Sequence, residues 1–528
     1  MKKKLIFAAA AIAMLASCSQ NDLEAPVVGQ AQQSDAIEFG TYIGSAATSR
    51  AGWAGEIDNN KLKDLNAAGD AHEESTNGFG VFAYFTGNTN YPNVTDDPTP
   101  APGTVDANTN KPNFMYNQQV AWNSTSSLWG YTPLKYWPND FANTAVDVPG
   151  ATGSTTYGGK LSFFAYAPYV TKAAADGTGT GIISMSDNNV AGNPTVTYKM
   201  ASTGKNVDIL WGTCPTDATG NYNVAPSGTQ TGGYVWGNEG TPATIKNYGK
   251  TNVNLTKQTT NGTETSAEKI NFLFKHALAK VGGGSKGTTP SSSGLQIKLD
   301  PDFGDSFGAG AETVVTVDHI KISQNNKQTL SVYDHKKQNQ GILDLATGIW
   351  TTSGDQDEFS QTIKAGATND NEAELNPNIK EQAVNTSIDL VANTTWADAT
   401  GGLVDGDHKG VLKTTQPVYD ENQDVKPLLY FPGETPSLDI EIEYVVRTKD
   451  ANLENGYSEV IQKITKNVTF GTPVEMNKRY NLLIILGLTS VKFEATVADW
   501  TIVTDLDNSG GEDENDHVNL PLNVTPAP

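Results

Sequence analysis

The side chains able to perform acid–base, nucleophilic or metal chemistry are scattered through this sequence. Six histidines stand at 72, 276, 319, 335, 408 and 517, and none falls in an HExxH pair or another metal-ligand spacing. The run "GGSKG" at 283–287 formally fits G-x-S-x-G. A nucleophile elbow needs a strand before its serine and a helix after it, and here Thr, Thr and Pro follow. "YGKT" at 248–251 ends as a phosphate loop ends, but Thr244 stands where the opening glycine belongs. "DLDNSG" sets Asp505, Asp507 and Ser509 at alternate positions with Gly510 sixth, as a calcium loop does. Its twelfth position is Asp516 rather than a bidentate glutamate, and no helices flank it, so it reads as a solvated acidic linker. No catalytic constellation forms. The expectation is a non-enzyme with no cofactor and no metal.

Two residues point instead to covalent processing. The chain opens "MKKKLIFAAAAIAMLASCSQ": Lys2, Lys3 and Lys4, an apolar stretch from Leu5 to Leu15, then "LASC". The apolar stretch is too short to span a bilayer and fits a signal peptide. Small residues before Cys18 give the form of a bacterial lipobox, so Cys18 is the expected site of acylation after cleavage before it. Cys214 is then the one remaining cysteine, and no intrachain disulfide can form. The second residue is Arg50, in "AIEFGTYIGSAATSRAG" at 36–52. Arginine recurs only at 447 and 479, every other basic residue being lysine. Ahead of Arg50, Ile37, Phe39 and Ile43 fall on one face of a strand with period two.

The elements that would position these residues are strands. Gly, Asn, Thr and Ser are abundant, and seven stretches read as β: 79–85, 161–169, 207–212, 295–300, 437–446, 480–488 and 491–500. In "SLDIEIEYVV", Leu438, Ile440, Ile442 and Tyr444 alternate with Asp439, Glu441 and Glu443, one dry face against one wet. Short strands between long polar loops read as all-β sandwiches. "KINFLFKHALAKV" stays open: Ile270, Leu273, Phe274, Ala277, Leu278 and Val281 match a helix, while Ile270, Phe272 and Phe274 match a strand. The glycine- and serine-rich stretch 281–294 is either a domain linker or a hairpin loop. At the far end, Val518, Leu520, Leu522 and Val524 alternate with polar residues or proline, one more strand beyond a charged linker. The net charge of −23 argues against nucleic acid and anionic lipid as partners.

The lipobox at Cys18, "IEFGTYIG…SRAG", "GFGVFAYFTG", "YTPLKYWP", "LSFFAYAPY", "VDILWG", "FKHALAKV" and "NKRYNLLIILGLTSVKFEATVADW" occur in an order that resembles the fimbrillin family, the lipoprotein-derived pilins of type V pili. The resemblance runs from residue 15 to 500. It implies two tandem transthyretin-like β-sandwich domains with long loops and a few short helices. It implies export as a lipoprotein held in the outer membrane through Cys18, then cleavage at Arg50–Ala51, loss of the first strand, and polymerisation with other pilin subunits into a cell-surface fimbria that supports adhesion. It also suggests strand for "FLFKHALAKV". The expected divisions are a signal peptide (1–17), a tether (18–35), a removable strand (36–50), two domains (51–265 and 266–507), and an acidic linker with a donor strand (508–528).

The physical logic runs beside the resemblance. Burying Ile37, Phe39 and Ile43 stabilises by about 5–9 kcal/mol, and four apolar residues in the tail by about 6–12 kcal/mol on the same scale. One strand can therefore replace the other, and an open strand edge is a template for such addition. Residues 507–516, fully extended, reach about 36 Å. Pro521 lacks an amide hydrogen and is disfavoured in a strand paired on both sides. The competing reading is a lipidated monomer that binds a host or microbial surface glycan or protein, using Trp122, Trp129, Tyr131, Tyr136 and Trp137 as a stacking platform.

Overall fold

The computed structural model of the chain describes residues 36–43, 57–63 without 58, 77–87, 91, 110–138, 160–214 without 204–205, 251–255, 259–264 without 261–262, 270–284, 294–300, 313–325, 336–379 without 370 and 377–378, 416–420, 425–499 without 451, 455–456 and 488–490, and 518–526 without 521. Among these the only helix is the single turn Asn59–Lys63, and the chain is all β. Each of the seven stretches read as strands from the sequence contains a strand, that in 207–212 beginning only at Leu210 and that in 161–169 ending at Ala167.

Four sheets carry the structure. Sheet A runs in the order Phe39–Ile43, Ile270–His276, Leu210–Thr213, Lys160–Ala167, Phe79–Gly87, Met115–Asn123, Leu128–Gly130, with Asn252–Leu255 alongside Lys160–Ala167. Sheet B is Trp350–Glu358, Lys336–Asp344, Thr195–Lys199, Gly181–Met185. Sheet C centres on Lys478–Leu486, and sheet D runs Glu372–Glu374, Ser360–Lys364, Thr313–Asn325, Ser437–Lys449, Tyr457–Phe470, Leu522–Pro526. Among the described residues, strand pairing crosses residue 265 three times: Phe39–Ile43 joins Ile270–Phe274, Leu273–His276 joins Leu210–Thr213, and Gln340–Asp344 joins Thr195–Lys199.

The middle strands of sheet A, Phe79–Gly87, Lys160–Ala167 and Leu210–Thr213, are largely buried on both faces, which is why they read as almost unbroken apolar runs. In Phe79–Gly87, Phe82 and Tyr84 face sheet B, while Phe79, Val81 and Ala83 enter a second core on the other side. Sheets C and D form a sandwich whose core takes Leu438, Ile440, Ile442 and Tyr444 from one layer and Leu482, Ile484 and Leu486 from the other. The alternation read in 437–446 is the inward face of that sandwich.

The ambiguous run resolves into two strands, Ile270–His276 in sheet A and Ala279–Val281 in sheet C. Helical periodicity misled because the run serves three cores in turn. Ile270, Phe272 and Phe274 enter the core outside sheet A, Ala277 and Leu278 the core between A and B, and Ala279 and Val281 the C–D core. Residues buried in every direction mimic a helical stripe.

The glycine-rich stretch 281–294 is described at its two ends, 281–284 and 294, and the strands flanking it lie in one sheet without pairing with each other. Ala279–Val281 and Leu295–Leu299 both run parallel to Lys478–Leu486, one after the other along it. The chain leaves this interrupted strand at Gly282 and returns at Gly294, where Gly294 N–H donates to the Gly283 carbonyl at 3.0 Å.

The hairpin of sheet B clamps its neighbours. Trp350 Nε1 donates to the Ala277 carbonyl at 2.7 Å, and Lys337 Nζ donates to the Leu429 carbonyl at 3.1 Å and to Glu434 at 2.9 Å. Trp211 of sheet A donates from Nε1 to the Leu345 carbonyl at 2.9 Å. Its ring lies against Gly348, whose φ is +73° and where an added Cβ would meet the indole at 2.4 Å. Gly348→Ala therefore combines overpacking with backbone strain and is expected to destabilise by about 1–3 kcal/mol. Denaturant unfolding measures this; an unchanged midpoint would mean that the A–B contact yields without cost.

Candidate strand-docking site

Residues 36–43 occupy a slot with backbone partners on two sides. Phe39–Ile43 runs parallel to Ile270–Phe274, Phe39 opposite Ile270 and Ile43 opposite Phe274, and the Ile270 N–H donates to the Glu38 carbonyl at 2.8 Å. On the other side the Ile37 N–H donates to the Lys135 carbonyl at 2.9 Å, and Ala36 bridges Tyr136 in antiparallel fashion. The Tyr131 hydroxyl closes that side, donating to the Ile37 carbonyl at 2.8 Å and accepting from the Lys135 N–H at 3.2 Å. Burial, only partly offset by the Lys135 backbone hydrogen bond, raises the Tyr131 pKa above the usual phenol value, so the proton needed for donation stays in place.

The slot is apolar. Ile37 is 1% exposed and Phe39 3%. Phe39 touches four aromatic rings: Tyr131 at 5.4 Å between centroids, Phe272 at 6.0 Å, Phe163 at 6.1 Å and Phe79 at 6.2 Å. Three of these pairs are edge to face and the Phe272 pair is stacked, and aromatic pairs of either kind each add about 0.5–1.5 kcal/mol beyond area burial. Ile57 and Leu62, on the far side of Arg50 in sequence, are buried in the same core. The Ile57 N–H donates to Asp208 Oδ2 at 3.2 Å, and the same oxygen holds His276 Nδ1 at 2.6 Å, at the end of the strand beside the slot. Arg50 and Ala51 thus fall in sequence between two anchored points, residues 43 and 57. Cys18, Arg50 and Ala51 themselves lie outside the described residues.

The tail is two strands rather than one. Val518–Leu520 pairs antiparallel with Ala495–Val497 at an end of sheet C, and Leu522–Pro526 pairs antiparallel with Lys466–Phe470 at an end of sheet D. The register sets Leu520 opposite Ala495, Leu522 opposite Phe470 and Val524 opposite Val468, all three of these partners being buried. The four apolar residues therefore serve two sheets, not one face. Proline, which cannot donate to a ladder, is the residue between them in sequence.

The aromatic cluster divides between core and surface. Trp137 and Tyr131 are buried, Trp122 and Trp129 meet edge to face at 5.3 Å, and Trp129 packs on Phe79 at 5.0 Å. Lys63 Nζ sits 4.4 Å from the centre of the Trp122 ring. Tyr136, 56% exposed, is the one fully surface ring of the five. Tyr131, Trp137 and Trp129 belong to or pack on the core that lines the slot, and the five rings do not form one exposed face. From the sequence, Tyr131 is one ring of a stacking platform and Lys135 has no role; in the fold Tyr131 and Lys135 form the second wall of the slot. Their signal was a polar-tipped aromatic in an otherwise loop-like segment.

Phe39→Ala is expected to cost about 3–5 kcal/mol, as loss of a core phenylalanine does, and Tyr131→Phe about 1–3 kcal/mol through the buried partners it leaves unmet. Denaturant unfolding gives the totals, and hydrogen exchange at Ile270–Phe274 shows whether the loss falls at the slot. Unaltered exchange there would separate Phe39 from the docking of residues 36–43.

No helix among the described residues is long and apolar enough to cross a membrane. No protein-family model matches the chain. Over 133 residues it is 33% identical to fimbrium subunit Fim1C of Phocaeicola vulgatus, a match covering 25% of this chain and 26% of that relative. The matched stretch is thus about a quarter of the relative's length. The chain is also similar to a fimbrial protein from Bacteroides vulgatus solved by crystallography, at a TM-score of 0.47 and 17% identity, over 88% of this chain and 99% of the other. The fimbrillin-family resemblance carried by the motifs is borne out by this likeness to a fimbrium subunit.

Proposed function

We propose that the chain is a structural subunit of a cell-surface fimbria, exported as a lipoprotein through Cys18, cleaved after Arg50, and polymerised with other pilin subunits by strand exchange in support of adhesion. The observation that carries this reading is the slot. Residues 36–43 are paired on two sides and packed against aromatic rings, yet covalently they belong to a short segment that ends at the first arginine of the chain.

Cleavage at Arg50–Ala51 leaves Ile57 and Leu62 anchored on the retained side, so the slot keeps its floor when residues 36–43 depart. What departs exposes the backbone edge of Ile270–His276 and the apolar wall around Phe79, Phe163 and Phe272. A strand of another subunit restores both. Val518–Leu520 and Leu522–Pro526 supply that strand. Each sits at the end of its sheet, so each can leave with the loss of one ladder.

Limiting trypsin treatment, followed by mass spectrometry and native electrophoresis, tests the reading. The expected first cut is after Arg50, followed by a ladder of oligomers that deletion of 518–528 abolishes. Resistance at Arg50, or a cleaved chain that stays monomeric, overturns the polymerising role.

A further inference from the structure

The strand Tyr457–Phe470 is covered on its outer edge for only part of its length. Leu522–Pro526 pairs with Lys466–Phe470; from Ser458 to Thr465 no strand among the described residues lies alongside. Exposure rises at the same place. The five residues from Glu459 to Lys463 are all exposed, with Val460 at 48% and Ile461 at 60%. Being neighbours, Val460 and Ile461 lie on opposite faces of the strand, so the open edge is apolar above and below. Proteins ordinarily blunt such an edge with charged side chains, lysine above all, with proline, or with a bulge; the charges here, Glu459 and Lys463, are of opposite sign. This one has no proline or glycine, and its register with Ser437–Lys449 runs unbroken.

We propose that this edge docks a second copy of the same chain, strand to strand and antiparallel, about a two-fold axis at Ile461. An axis normal to the sheet keeps the outer faces of both copies on one side. Odd-numbered residues must then oppose odd-numbered ones, and the axis must pass beside a residue. Centred on Ile461, the register sets Glu459 opposite Lys463 of the second copy, twice over. It also sets Val460 opposite Gln462 and Ile461 opposite Ile461. Centred on Val460, it opposes Lys463 with Tyr457; centred on Gln462, it opposes Lys463 with Ile461. Both alternatives lose the two charge pairs, so charge selects one register.

Both charged side chains are already fixed on the outer face beside the edge. Arg447 Nη2 holds Glu459 Oε2 at 2.7 Å, and Lys463 Nζ holds Glu441 Oε1 at 3.0 Å. A carboxylate and an ammonium each have capacity for a further partner. Seven paired residues span about 24 Å, which places the contact at the small, concentration-dependent end of specific interfaces.

Sedimentation velocity on the uncleaved chain over a wide concentration range tests this without invoking strand exchange at the slot. The wild-type chain is expected to form dimers as concentration rises. Ile461→Lys alone and Ile461→Glu alone are expected to stay monomeric, because each sets like charges against each other at the axis. An equal mixture of the two is expected to recover a heterodimer. Position 461 is exposed, so both variants should keep the wild-type unfolding midpoint, which is checked in parallel. A wild-type chain that stays monomeric at every concentration, a single variant that dimerises as the wild type does, or a mixture that does not associate overturns the proposal.

Discussion

The run from Ile270 to Val281 belongs to three hydrophobic cores, and that sharing organises the molecule. Twelve successive residues cannot turn a helical stripe toward three separate interiors, but a strand that changes sheets can. The first part gives sheet A the strand beside the slot. Ala277 and Leu278 lie under the Trp350 hairpin, and the last part enters sheet C. Rigid passage between sheets, rather than a flexible joint, links the two halves of the chain at this point. The sheet B hairpin reinforces the link through Trp350 and Lys337.

Lys337 shows what that reinforcement costs and how it is offset. Burial pulls its ammonium below the ordinary lysine range, against the opposing pull of Glu434. Its Nζ lies 4.4 Å from the centre of the Tyr430 ring and 5.4 Å from that of Phe431, so aromatic faces supplement the two hydrogen bonds. A charge buried on these terms ties sheet B to the strand Leu428–Tyr430 of sheet C and penalises any sliding that would unpair it.

Strand edges are the other organising constraint. Each unpaired ladder needs an occupant, and the molecule handles the need in three ways. Residues 36–43 fill the edge of sheet A and carry apolar side chains into its outer core. Val518–Leu520 and Leu522–Pro526 close ends of sheets C and D from within the same chain. Among the described residues, no strand covers the outer edge of Ser458–Thr465. Residues 36–43 are held more firmly: they are bound from both sides, and Phe39 packs on four rings.

Strand composition was legible where both faces are buried or where burial alternates cleanly. "FGVFAYF", "LSFFAYAPY" and "SLDIEIEYVV" all declare themselves because β-branched and aromatic residues repeat with the period of the pleat. Strands such as Lys336–Asp344 and Trp350–Glu358 escaped notice, since "KKQNQGILD" and "WTTSGDQDE" are polar edge-of-core pieces that become strands only by pairing with each other and with Thr195–Lys199. The sequence by itself determined the all-β class, the apolar face of residues 37 and 39, and the placement of an arginine just beyond it. Only the tertiary structure decided that the 270–281 run is extended, that Tyr131 and Lys135 wall the slot, and that the tail splits across two sheets. Periodicity records which residues avoid water, whereas the identity of the neighbour that excludes the water is fixed by contacts between residues far apart in the chain.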